Sequence, residues 1–193
     1  MNNFDLPFKS FIGGWFIPDK VCDKVIDYFE SKSDNHVKGT IGDNAYNKDL
    51  LDDTRMRITA EKNLEEYYIS LNKCLDNYKK LYEDCERVEP YSLEENINIQ
   101  KYPPGGGYKV WHFEENGGDK KRHLVFMTFL NDVENGGTEF KYQNLTIPAK
   151  KGLTLIWPAP WTHTHKGQVS NTQTKYIITG WYNFNEWYFY TWK

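Results

Sequence analysis

Residues 124–156 read LVFMTFLNDVENGGTEFKYQNLTIPAKKGLTLI. Short apolar runs alternate with Asn-Asp, Asn-Gly-Gly and Lys-Gly steps. The runs are too short for helices of several turns, and the steps between them are residues that turns require. The pattern predicts strands over 124–130, 138–142, 144–147 and 153–156. Moving outward, the same reading extends to 96–102 and 109–113 upstream and to 176–184 downstream. Many short strands separated by turns point to a sandwich or jelly roll rather than a parallel α/β sheet.

Before Pro90 the pattern is helical. Pro18 and Asp19 suit a helix start, and Val21, Cys22, Val25, Ile26 and Phe29 follow at helical spacing to about residue 31. A second helix is predicted over about 60–85, with the stripe Leu64, Tyr68, Leu71, Leu75, Tyr78, Tyr82 and Cys85. Between them, 33–53 reads as a long polar loop carrying Gly39 and Gly42. Helices first and strands later imply helices bracing one face of a sheet. The expected architecture is α+β, mainly β: a single domain over 1–193, with helical support over about 1–90 and a β core over about 91–185. The aromatic tail, 187–192, is expected to dock on the body or in an oligomer contact. The oligomeric state itself stays open.

The bulk numbers remove several function classes. The chain has 193 residues, 39% hydrophobic and 17% aromatic, enough for one substantial core and too apolar for global disorder. A formal net charge of -3 leaves no broad basic footprint, which argues against nucleic acid as a partner. Cys22, Cys74 and Cys85 are odd in number and form no C-x-x-C pair, so neither a disulfide framework nor a thiolate zinc site is expected. No basic-then-apolar leader and no run of about 18 apolar residues is present. The expectation is a cytoplasmic protein with no membrane association.

The chemistry starts at His112-Phe113-Glu114. Residues two apart on an extended segment point to one side. His112 and Glu114 can therefore meet one metal ion, supplying two members of the 2-His-1-carboxylate set that binds Fe(II). His163 and His165 are both candidates for the third. Farther on, Lys175, Ile177, Thr179 and Trp181 share one face of the last strand. A lysine among apolar neighbours calls for an anionic partner, and a dicarboxylate would supply one.

These residues resemble a family. From about residue 96 to 184 the chain is similar to the 2-oxoglutarate- and Fe(II)-dependent oxygenases, most of all to their prolyl 4-hydroxylase-like branch. The matching pieces are Tyr102-Pro103-Pro104-Gly105 through Tyr108, His112-x-Glu114, and Arg122 leading into Phe129-Leu130-Asn131-Asp132-Val133. They continue with Gly136-Gly137-Thr138-x-Phe140, Pro148-x-Lys150-Lys151-Gly152, His165-x-Gly167-x-Val169, Lys175-Tyr176 and Trp181.

The resemblance implies a double-stranded β-helix, a distorted jelly roll. It implies His112, Glu114 and His165 as iron ligands, leaving His163 as a neighbour. It implies Lys175 and Tyr102 as residues that bind 2-oxoglutarate, with Arg122, Tyr108 and Trp181 near a peptide or protein substrate. The implied cofactors are Fe(II) and 2-oxoglutarate, with ascorbate as reductant. The implied reaction is hydroxylation of a prolyl residue with release of succinate and CO2. Other protein side chains, free amino acids and nucleobases are the alternative substrates, and a catalytically impaired binding protein is the alternative role. Two positions depart from the family: Glu114 stands where aspartate is usual, and Phe129 where some members carry a tyrosine that holds 2-oxoglutarate.

Overall fold

The structure is a computed structural model that describes residues 1–40, 46–59, 61–116 and 121–185. The aromatic stretch 187–192 lies outside the described residues. In chain order the elements are strands β1 (Asn2–Asn3) and β2 (Gly13–Phe16), helix α1 (Asp19–Glu30), strands β3 (Val37–Lys38) and β4 (Thr54–Ile58), and helix α2 (Glu65–Leu81). Then come β5 (Tyr91–Ser92), β6 (Ile97–Tyr102), β7 (Arg122–Phe129), β8 (Val133–Phe140), β9 (Leu145–Ala149), β10 (Leu153–Pro158), β11 (His165–Gly167) and β12 (Lys175–Phe184).

The strands form two antiparallel sheets. The major sheet runs β1-β2-β10-β7-β12-β6-β4-β3, with β5 also on β12; the minor sheet runs β11-β8-β9. The two face each other as a jelly roll, the architecture expected. The helices lie on the outer face of the major sheet. Alternation along each strand divides the core in two. On β7, Leu124 and Phe126 join the helix side, where α1 contributes Val21, Val25 and Phe29 and α2 contributes Tyr67, Leu71 and Tyr78. Val125, Met127 and Phe129 of the same strand join the barrel interior with Phe140, Leu155 and Trp157. Thr128 faces the helices too, and its hydroxyl lies 3.0 Å from Tyr67 Oη and 2.8 Å from Thr154 Oγ1, a buried chain that satisfies all three groups. Among the described residues no helix is long and apolar enough to cross a membrane.

The structure departs from expectation in four places. The N-terminal support is not purely helical: β2 and β4 join the major sheet, pairing with β10 and β6. The segment 109–113 is no strand. Its hydrogen bonds are divided among three partners: Lys109 N–H donates to Leu50 O, His112 exchanges bonds with His165, and Glu114 N–H donates to Ala159 O. A segment that bridges several elements cannot extend one ladder. The second helix is shorter than 60–85, and its buried stripe is Tyr67, Leu71, Cys74 and Tyr78, with Tyr68 and Leu75 only flanking it. Within 33–53, Ser33–Asn35 forms a 3-10 turn and Val37–Lys38 forms β3, while residues 41–45 lie outside the described set. The end of that segment is tied to the glycine-rich turn, since Asp52 N–H donates to Gly107 O and Leu51 bridges Tyr108.

Candidate active site

The inner face of the major sheet is built in rows by strand register. Tyr102 of β6 lies opposite Lys175 of β12. The next row holds Arg55, Gln100, Ile177 and Phe129, and the one after holds Arg57, Asn98, Thr179 and Met127. Trp181 follows on β12, on the face that Lys175, Ile177 and Thr179 were predicted to share. All of these line one cavity of about 700 Å³, together with His112, Glu114 and His165. That is the size range of small-ligand sites.

Ligand atoms of His112, Glu114 and His165 lie within 4.8 Å of one another. Glu114 Oε1 is 3.4 Å from His112 Nε2 and 3.6 Å from His165 Nε2. The tautomers follow from the backbone. His112 Nδ1 is 3.0 Å from Val110 O and His165 Nδ1 is 2.8 Å from His163 O. A carbonyl only accepts, so both Nδ1 atoms donate, which aims both Nε2 atoms at the shared point. Burial and the charge of His112 push the His165 imidazole down, toward the neutral form a ligand needs. Burial pushes the Glu114 carboxyl up, but the two imidazoles outweigh it and hold the group well below the carboxylate range. Two imidazoles and a carboxylate converging on one point suit a divalent transition metal.

His163 is turned elsewhere: its Nε2 lies 3.0 Å from Ser10 O and its Nδ1 3.0 Å from the Thr162 hydroxyl. His36 and His123 are satisfied by the carbonyls of Phe29 and Cys85.

Lys175 is 5% exposed. Its ammonium donates to Gly136 O at 2.9 Å and Gln168 O at 3.0 Å and sits 5.0 Å from the Tyr102 ring centroid. Among the described residues no carboxylate pairs with it, and burial lowers its pKa to about 8. A buried cation facing a cavity, with no carboxylate partner among the described residues, is chemically suited to an anionic ligand. Tyr102 is buried beside it.

The other predicted site residues are also brought together, with partners the sequence did not suggest. Tyr108 stacks on His112 at 3.7 Å between ring centroids. Arg122 pairs with Glu95 at 2.7 Å and reaches Glu114 Oε2 at 3.3 Å, its guanidinium lying 3.7 Å from the Trp181 ring centroid. Trp181 Nε1 donates to the same Glu114 oxygen at 3.0 Å. Asn131 is a brace: its amide donates to Thr174 O, and its Oδ1 accepts from Tyr176 N–H, fixing the start of β12.

Sequence reasoning missed the polar wall of Arg55, Arg57, Asn98 and Gln100. Arg55 is held by the fully buried Asp53, which also accepts from Gln100 Nε2 at 2.7 Å. The alternation Asn98, Gln100 within 96–102 was visible, but polar alternates on a strand ordinarily mean solvent, and β4 lay hidden in a segment without a clear strand signal.

Residues 97–183 match the family model of the 2OG-Fe(II) oxygenase superfamily. Among curated proteins none matches the sequence. Solved structures similar to this chain include a prolyl hydroxylase from Trichoplax adhaerens in complex with a peptide fragment of the hypoxia inducible factor oxygen degradation domain, at TM-score 0.68 and 18% identity over 89% of this chain and 83% of that one. A Pseudomonas putida prolyl-4-hydroxylase aligns at TM-score 0.69 and 13% identity, over 89% and 92% of the two chains. A viral collagen prolyl hydroxylase from Paramecium Bursaria Chlorella virus-1, in complex with 2OG, aligns at 0.64 and 17%, over 89% and 95%.

Proposed function

We propose, for a chain whose β core is that of a 2OG-Fe(II) oxygenase, that it is a dioxygenase of prolyl hydroxylase type acting on a prolyl residue of a peptide or protein. The observation that carries the reading is the placement of a His-Glu-His candidate ligand set and a buried lysine with no carboxylate partner among the described residues in one cavity. The similar structures named above include prolyl hydroxylases, one of them with a peptide bound.

In this reading His112, Glu114 and His165 hold Fe(II), and Lys175 receives the distal carboxylate of 2-oxoglutarate with Tyr102 beside it. The bound iron supplies oxygen activation coupled to decarboxylation of 2-oxoglutarate to succinate and CO2. The chain's own share is binding, orientation and exclusion of water. Val110 O and His163 O fix the tautomers that aim both imidazoles. The carbonyls of Gly136 and Gln168 hold the Lys175 ammonium in place before the cosubstrate arrives, so little is lost in ordering it. Phe129, Met127, Ile177 and Trp157 keep the interior dry around the reacting groups. The substrate enters past Tyr108, Trp181 and Arg122.

The test is succinate formation from 2-oxoglutarate with Fe(II) and ascorbate, with and without a proline-containing peptide library, alongside mass spectrometry of the peptides. Peptide-stimulated succinate with one oxygen gained at proline is the expected result. Turnover that no peptide stimulates, or an oxygen found on another side chain, sinks the prolyl assignment. No turnover at all sinks the enzyme reading.

A further inference from the structure

We propose that Trp181 and Arg122, with Glu95 behind them, are positioning residues that hold Glu114 as a one-oxygen metal ligand. This rests on the reading of His112, Glu114 and His165 as a metal site.

The two oxygens of Glu114 have separate surroundings. Oε1 faces the two histidine Nε2 atoms. Oε2 accepts from Trp181 Nε1 at 3.0 Å and Arg122 Nη1 at 3.3 Å. A carboxylate whose second oxygen carries two donors is held to coordination through the first. The donors are themselves held. The Arg122 guanidinium lies over the Trp181 ring, and its Nε and Nη2 donate to the two oxygens of Glu95 at 3.0 and 2.7 Å. Glu95 Oε1 also accepts from Asn183 Nδ2 at 2.8 Å. The guanidinium side chain is 11% exposed, so these bonds are largely screened from water. The chain Asn183–Glu95–Arg122–Glu114 thus runs from the far end of β12 to the ligand.

This arrangement gives the unusual glutamate a reason. Its extra methylene extends the carboxylate by roughly one C–C bond, about 1.5 Å. A longer side chain has one more rotatable bond and more ways to miss the metal. Trp181 and Arg122 remove that freedom from the outer oxygen. Partners behind metal ligands of this kind are worth about 10–100-fold in metal affinity.

The experiment is a Co(II) titration of the full chain, followed by visible absorption and calorimetry, with no 2-oxoglutarate or peptide present. His165→Ala tests the site itself: it should abolish binding, and wild-type affinity there would overturn the metal reading from which this one starts. With the site so established, Trp181→Phe keeps a ring for Arg122 to lie on and removes only the N–H. It should weaken Co(II) binding about tenfold or more. Glu95→Gln keeps the shape and loosens the hold on Arg122, and it should weaken binding in the same direction. The decisive arm is a double-mutant cycle. In Glu114→Asp the shorter carboxylate withdraws from Trp181, so adding Trp181→Phe should cost less than about twofold. A merely structural tryptophan would cost the same in both backgrounds. Unchanged Co(II) affinity in both Trp181→Phe and Glu95→Gln, or equal losses on both arms of the cycle, overturns the proposal.

Discussion

The two faces of the major sheet are made from the same strands, and they differ in nearly every respect. On β6 and β12 the face toward the helices carries Ile97, Ile99, Ile178 and Tyr182. The face toward the cavity carries Asn98, Gln100, Tyr102, Lys175, Thr179 and Trp181. Adjacent residues in the chain thus serve opposite ends. The helix side gains stability by burying apolar area, and the inner side gives up apolar burial to keep polar groups and a cation ready for ligands. The difference teaches that the helices are what permits the site. With one face sealed by α1 and α2, the other can hold an ammonium bonded to two carbonyls and to no carboxylate among the described residues.

The sharpest way to break this comparison is to damage each face and see whether the effects stay separate. Phe126 is fully buried under the helices. Phe126→Ala should lower unfolding stability by about 3–5 kcal/mol, measured by urea titration. Co(II) affinity of the folded fraction should be unchanged; a parallel loss of metal binding would show that the faces are coupled.

The inner-face counterpart is Lys175→Ala. It should weaken 2-oxoglutarate by roughly 2–5 kcal/mol, read as a raised KM in a succinate assay. Stability should not fall, because the change removes a buried cation that has no carboxylate partner among the described residues. Near-normal KM would mean that another cation, Arg55 or Arg122 among them, receives the cosubstrate.

A pH series separates the faces without mutation. Burial lowers the Lys175 pKa from 10.5 to about 8. Below that value the free protein holds the charged form that the proposed reading pairs with the dicarboxylate. As pH rises past it, affinity for 2-oxoglutarate should fall by up to about tenfold per unit. Between about pH 8 and 10.5 the unfolded chain keeps a proton that the folded chain has shed, so this group's contribution to stability rises with pH while affinity falls. An affinity flat from pH 7 to about 9.5 would contradict this.

The smallest expected effect lies at the seam between helix and sheet. Tyr67→Phe removes the hydroxyl that meets Thr128, which still has Thr154 at 2.8 Å. The expected loss is about 1 kcal/mol of stability by thermal melting, with KM untouched. A loss above about 3 kcal/mol would mean that the buried hydroxyl chain organises the sheet rather than merely satisfying it.

Much of this was legible in the sequence. Period-two alternation in 176–184 already separated Lys175, Ile177, Thr179 and Trp181 from Tyr176, Ile178 and Tyr182, because side-chain direction in a strand is a local property. The helix-forming spacing before residue 31 was local as well, and α1 follows it. The family resemblance carried by the His-x-Glu, His and Lys pieces implied the candidate ligand set and Lys175 as a candidate for the anion; the residues alone had left His163 and His165 both open. What failed failed where hydrogen bonds leave the local ladder, as at 109–113, where three different elements share one short segment.

The sequence by itself therefore determined the jelly-roll class, the faces of the long strands and the residue types of the site. Only the tertiary structure decided which oxygen of Glu114 meets the histidines and which meets Trp181 and Arg122. It also brought β4 alongside β6, adding Arg55 and Arg57 to the wall. The reason is separation along the chain: Trp181 lies 67 residues from Glu114, and Arg122 lies 27 from Glu95. No periodicity spans such distances. Contacts of that range exist only once the sheet has closed and its register has set which side chains share a row.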